Sequence, residues 1–217
     1  MLEKNGCSEK KNDRWKHILR KWGSTIAAAA VFSLILNLGA AAAHRIILQQ
    51  GIAEEVLRFH ILANSDGDED QKIKLAVRNR VLAWISENGG DISDREEMES
   101  FLEKHLTGLE KTADGVLESY GVPYRSSAAM ETCYFPERTY GECTFPAGWY
   151  KALRICLGEA QGKNWWCVLY PKLCFSDCLC GKTDEKEMQQ LEEVLTVEEY
   201  ESLLHHPDQW TIAFRWF

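Results

Sequence analysis

The chain has 217 residues, 45% of them hydrophobic and 27% charged. That suits one ordinary domain plus an additional segment, and excludes both a pair of large domains and a compositionally disordered polypeptide. The formal charge of -8 argues against a nucleic-acid binder, whose footprint is a clustered basic face. The charge is also unevenly distributed. Residues 1–43 carry seven Lys or Arg against three acids, which leaves -12 for the remainder.

Residues 1–22 form a basic leader, with Arg14, Lys16, Arg20 and Lys21 just ahead of an uncharged stretch at 23–43. At about 1.5 Å per residue, a helix of that length spans the roughly 30 Å of a bilayer's hydrocarbon core. Its polar residues Ser24, Thr25, Ser33 and Asn37 are scattered and do not form one face, as a buried soluble helix would require. The basic flank predicts a cytoplasmic N-terminus and an exported body. Residues 23–43 read either as a retained anchor or as a signal peptide cleaved near Ala43, because Ala41, Ala42 and Ala43 supply small residues at a cleavage position. Residues 44–55 read as a juxtamembrane linker and 56–217 as an extracytoplasmic α+β domain.

In chain order, residues 56–62 predict a strand, broken by Ala63, Asn64, Ser65, Asp66 and Gly67. Ser65 or Asp66 is expected to cap a helix over 69–86, whose Ile73, Val77, Val81, Trp84 and Ile85 share one face. Ser93 and Glu96 have capping-box spacing ahead of a second helix with Met98, Phe101, Leu102, His105, Leu109, Val116, Leu117 and Tyr120, which Gly121 and Pro123 end. Strands follow at 128–135, 140–145, 149–157 and 165–170, the last two expected to pair as a hairpin across 158–164. A short amphipathic helix lies within 183–204, with a second cap at Thr196 and Glu199. Residues 210–217 alternate as a final strand. The expected fold is thus α+β, with a membrane segment, a strand, two amphipathic helices and a mainly antiparallel sheet.

Seven of the eight cysteines lie in the exported part, where thiols can oxidise. Cys167 and Cys174 are the first candidate disulfide, because a turn at Pro171 would bring them together; Cys156 with Cys167 and Cys133 with Cys143 are rival cross-strand pairs. Cys174, Cys178 and Cys180 with His205 and His206 lack the paired clusters of a structural zinc site. Asp66, Asp68 and Asp70 resemble the start of a calcium loop, but Gln71 replaces the required glycine and Val77 the bidentate glutamate. Their simpler role is to place negative charge at a helix start. No cofactor, metal or catalytic residue is expected. His60 reads as a packed histidine, although Cys167 or Ser65 beside it would be the nucleophile of a cell-envelope hydrolase or cysteine-dependent enzyme. Trp165 and Trp166 must face opposite ways on a strand, one toward the core and the other toward solvent as a contact anchor.

Two stretches carry a resemblance. Arg58, Phe59, His60, Ile61, Leu62, Ala63, Asn64, Ser65 and Asp66, followed by Asp70, Gln71, Lys74 and Arg78, resemble the opening of the stage II sporulation protein R family. Phe145 to Gly148, leading to Asn164, Trp165, Trp166, Cys167 and onward to Phe175, is similar to its centre. The resemblance implies a sporulation signalling protein exported from the forespore that activates a membrane-embedded aspartic peptidase, the enzyme that removes the pro-sequence of sigma factor E. It implies an activator and not a protease, with no small-molecule substrate and no nucleic acid. Arg58, His60, Asn64, Ser65, Asp66, Asp70, Gln71, Arg78, Asn164, Trp165 and Trp166 are then structural or partner-contact candidates. Lys172 departs from the family, which often has a second proline there, as do the cysteines at 133, 143, 156, 178 and 180. A passive envelope-binding module is a third reading.

Overall fold

The computed structural model describes residues 5–90, 92, 94–171 and 185–204. The chain divides into two units, Met1–Ile47 and Leu48–Phe217. Helix α1 (Asn5–Glu55) runs through the first and into the second. Its portion Thr25–Glu55 contains a window long and apolar enough to cross a membrane, with no residue of that window buried. Val31, Phe32, Leu34, Ile35, Leu36 and Leu38 are all more than half exposed, an all-round apolar surface that a water-soluble helix does not carry.

In the second unit, β1 (Leu57–Leu62) is followed by α2 (Asp68–Asn88) and α3 (Arg95–Ser119). Next come β2 (Ser126–Phe135), a small hairpin of β3 (Arg138–Tyr140) and β4 (Cys143–Phe145), then β5 (Gly148–Leu157) and β6 (Asn164–Tyr170). Helices α4 (Glu185–Val194) and α5 (Val197–Leu203) complete the described chain. The main sheet has the order β2-β5-β1-β6, with β1 parallel to β5 and the other two pairings antiparallel. The α+β architecture and the mainly antiparallel sheet agree with the sequence. The Thr196–Glu199 capping box is present as expected.

The expected hairpin of the last two long strands is not formed: β1 lies between β5 and β6. The reason is in β1 itself. Residues Leu57 to Ile61 are all buried, so both faces of β1 are covered and both edges need hydrogen-bonding partners. Sequence adjacency of β5 and β6 yields to that need. A strand expected at 140–145 is instead the β3–β4 hairpin, turned at Gly141 with φ 56°. The predicted strand at 210–217 lies outside the described residues.

One face of the sheet packs on α2 and α3. Phe59 and Ile61 of β1, Leu153, Ile155 and Leu157 of β5, and Ile73, Val77, Val81, Met98, Leu102, Leu109 and Leu117 of the helices are buried there. Trp84 is only half-buried and stacks on Phe101, while His105 and Tyr120 are exposed. The α3 cap is Asp94, whose carboxylate accepts from Glu97 N at 2.7 Å, and not Ser93 as the capping-box spacing suggested. Gly67, and not Ser65 or Asp66, occupies the α2 cap position; Ser65 Oγ accepts from Gly67 N and donates to Asp70, and Asp66 accepts from Lys163 N.

The crossing from β5 to β6 passes over the outgoing end of β1. Gln161 N and Gly162 N donate to the Asn64 and Ala63 carbonyls at 3.2 and 2.9 Å. A Cβ at Gly162 would collide with the Ser65 carbonyl, and one at Gly158 (φ 56°) with Asn64 and Tyr124. Gly158→Ala is therefore expected to lower unfolding free energy by about 1–3 kcal/mol. Gly115→Ala, at an exposed position of α3 with open space around it, is expected to raise it by up to ~1 kcal/mol. Denaturant unfolding followed by tryptophan fluorescence checks both.

Candidate functional site

The polar part of the motif, Asn64 to Gln71, closes the β1–α2 connection on itself and on the 158–163 crossing. Asp70 lies at the centre: its carboxylate accepts from Asn64 Nδ2 at 2.9 Å, Ser65 Oγ at 2.5 Å and Tyr124 OH at 2.6 Å. Asn64 Oδ1 accepts from Glu159 N at 3.0 Å, and Asp66 Oδ1 from Lys163 N at 2.7 Å. Gln71 Nε2 donates to the Ser65 carbonyl, and Lys74 Nζ donates to Gln71 Oε1 and the Lys163 carbonyl. Burial pushes the Asp70 carboxyl up, but the hydrogen bonds from Ser65, Tyr124 and Asn64 outweigh it and hold it below the usual carboxylate value. Burial, and then the bond to Asp70, raises the Tyr124 phenol. Each carboxylate of the calcium-loop resemblance thus has its own protein donors or a place at the helix start. This half of the motif builds structure.

The other sheet face is chemically different. Arg58 is fully buried. Its Nε donates to the Cys167 carbonyl at 3.1 Å and its Nη2 to Tyr140 OH at 3.2 Å. The guanidinium carbon lies 4.5 Å from the Phe135 ring centroid, 5.0 Å from Tyr150, 5.2 Å from Phe145 and 5.7 Å from Tyr140. Among the described residues no carboxylate pairs with it, so ring quadrupoles supply the stabilisation that an anion ordinarily would. The β3–β4 hairpin provides two of these rings, and α5 packs on that hairpin with Leu203 buried.

Two residues along β1, His60 is 5% exposed. Its ring stacks on Trp166 at 4.8 Å and 4°, meets Phe135 edge-on, and has Nε2 3.4 Å from Cys133 Sγ. Beside it Arg154 Nε pairs with Glu131 Oε1 at 3.0 Å. Burial, then the charges of Arg154 and Arg58, pull His60 down from 6.5 to about 4. Burial, then Glu131, pushes the Cys133 thiol up to about 11. At neutral pH the imidazole and thiol are both uncharged, which is the opposite of an activated cysteine nucleophile. His60, Glu131 and Cys133 also present ligand atoms within 4.8 Å of one another. Sequence reading connected His60 with Cys167 or Ser65 but missed Cys133, because strand pairing across β2, β5 and β1 brings these residues together. The usable signal was strand parity: Glu131 and Cys133 alternate on one face of β2.

The remaining candidates fall on both faces. Trp165 is half-buried between Phe59 and Arg78, whose guanidinium carbon stands 5.1 Å from its ring centroid. The opposite orientation of Trp165 and Trp166 holds, but both are half-buried, so neither is the solvent-facing anchor expected. Trp149 and Tyr134 are instead exposed, at 64% and 52%, and meet edge-on across β5 and β2 at 5.9 Å. Asn164 pairs with Leu62 at the β6 edge. The rival disulfides Cys156–Cys167 and Cys133–Cys143 are not made: Cys133 faces His60, while Cys143 Sγ lies 3.6 Å from Met188 Sδ. Cys174 of the first candidate pair, like Cys178, Cys180, His205 and His206, lies outside the described residues.

Asp70→Asn is expected to cost about 2–3 kcal/mol, since it removes the charge that three donors share. Denaturant midpoints at neutral pH test this. His60 gives a separate pH signature. Its folded value is lowered, so the unfolded chain takes up the proton first as pH falls, and stability drops by on the order of 3 kcal/mol between about pH 6.5 and 4. His60→Gln flattens that slope in a chelator-containing buffer.

Comparison with known proteins connects this arrangement to a family. Residues 53–179 match the family described as Stage II sporulation protein R. The chain is 37% identical over 150 residues to the Stage II sporulation protein R of Bacillus subtilis (strain 168), covering 66% of this chain and 67% of that protein. No solved structure matches. The matched region includes β1 with Arg58 and His60, the Asp70 cluster and the Trp165–Trp166 strand, and the chain belongs to the stage II sporulation protein R family.

Proposed function

We propose that the chain is an exported sporulation signal whose body, from about residue 56 onward, activates the membrane-embedded aspartic peptidase that processes pro-sigma E. Family membership carries this reading, and the placement of a compact unit after a membrane-length apolar helix supports it. The body lies outside the cytoplasm, in the space between forespore and mother-cell membranes, either anchored by 23–43 or released near Ala43. Activation requires tighter binding to the active state of the peptidase than to its resting state, by at least the free-energy gap between them. The exposed Tyr134–Trp149 pair has the composition of an interaction anchor, whereas Asn64, Ser65 and Asp70 are committed to internal hydrogen bonds.

The 3.4 Å approach of Cys133 and His60 keeps a thiol-dependent enzyme as the second reading, although the uncharged state of both groups weighs against it. Co-expression with the matching peptidase and pro-sigma substrate, in a host lacking sporulation genes, separates the readings. Cleavage that depends on the exported chain is expected. Trp149→Ala should reduce it roughly tenfold or more, corresponding to about 1.4 kcal/mol of lost binding, and Cys133→Ser should leave it intact. Absence of cleavage with all three proteins present and folded overturns the activator reading. Loss in folded Cys133→Ser returns the enzyme.

A further inference from the structure

The proposed function does not draw on the His60–Glu131–Cys133 group. Among the described residues the Cys133 thiol meets His60 Nε2 at 3.4 Å, so two potential ligand atoms face each other, with the Glu131 carboxylate beside them. Histidine, cysteine and a carboxylate form a mixed nitrogen, sulfur and oxygen donor set suited to a borderline divalent ion such as zinc. We propose that His60, Cys133 and Glu131 form a three-ligand binding site for a zinc-type divalent cation on the second sheet face.

The geometry supports this directly. Ligands about 2.0 and 2.3 Å from one ion at a tetrahedral angle lie roughly 3.5 Å apart, and Nε2 and Sγ lie 3.4 Å apart. All three ligand atoms are within 4.8 Å of one another, so the carboxylate must move closer. The Glu131 side chain is 32% exposed, which leaves room for that rotation. Three protein ligands leave one coordination position toward solvent, as in open zinc sites.

The scaffold is also rigid where a ligand must be fixed. His60 is clamped between Trp166 and Phe135 on the central strand, and β2, which carries the other two ligands, pairs with β5 along its full length. Arg154 holds Glu131 from outside the ligand set, the position in which a second layer orients a metal-binding carboxylate. The guanidinium groups of Arg154 and Arg58 oppose a cation. However, binding replaces the thiol proton, so the site gains one net positive charge and not two. The proton leaves to solvent, the Sγ–metal bond forms, and no redox partner is required.

The test is a Co²⁺ titration of the full chain in detergent, reduced and stripped with chelator, followed by its d–d bands and thiolate-to-metal absorption. One thiolate-bound Co²⁺ per chain is expected, and zinc should displace it. Cys133→Ser should abolish the thiolate absorption and weaken binding at least ~10-fold, and Glu131→Gln should weaken it while leaving the fold intact. A Cys174→Ser, Cys178→Ser and Cys180→Ser triple variant should bind as the unmodified chain does. Absence of thiolate-bound metal, binding unchanged by Cys133→Ser, or binding lost in the triple variant would each overturn the proposal. If Cys133→Ser fails to fold by near-ultraviolet circular dichroism, Glu131→Gln decides: unchanged affinity there overturns the site.

Discussion

Covering β1 on both faces and both edges is the constraint that organises the second unit. A strand whose Leu57 to Ile61 are all buried cannot stand at a sheet edge, since unpaired backbone donors and acceptors there would have no water to replace them. Parallel pairing to β5 on one side and antiparallel pairing to β6 on the other solves this. It also forces the β5–β6 connection across the end of β1. The hydrogen bonds of Asn64, Asp66 and Asp70, and the close approaches at Gly158 and Gly162, hold that crossing in place.

The same strand separates two environments. On the helix side its residues join an apolar core with α2 and α3. On the other side Arg58 and His60 bring a charge and a titratable ring into largely enclosed surroundings. Aromatic rings manage both: four surround the guanidinium and two clamp the imidazole. Cation–π contact stabilises Arg58, whereas His60 stays neutral until well below its ordinary value, first because it is buried and then because the charges of Arg154 and Arg58 lie nearby. Sheet packing and hairpin placement are thus linked through Arg58.

Family membership fits this division of labour. The motif residues that look most chemical in the sequence, Asn64, Ser65, Asp66, Asp70 and Gln71, are used up by internal hydrogen bonding. Among the described residues of β2 and β5, Tyr134 and Trp149 remain exposed aromatics.

By itself, the sequence determined the elements that depend on local periodicity. The membrane-length segment, the amphipathic faces of α2 and α3, the alternating strands and the Thr196 cap were legible because each is encoded within a few turns or residues. It also carried the family motif. Strand order was not legible, since β5 and β6 are neighbours in the chain and only the burial of β1 explains its insertion between them. The caps differed from expectation: Gly67 stands at the start of α2, where Ser65 is bonded to the Asp70 carboxylate and Asp66 to Lys163 N, and Asp94 rather than its neighbour caps α3. The pairing of His60 with Cys133 was likewise invisible, as 73 residues separate them. Only the tertiary structure decided these points, because register across a sheet places side chains together according to strand pairing, and pairing is chosen by burial of the whole strand and not by any local signal.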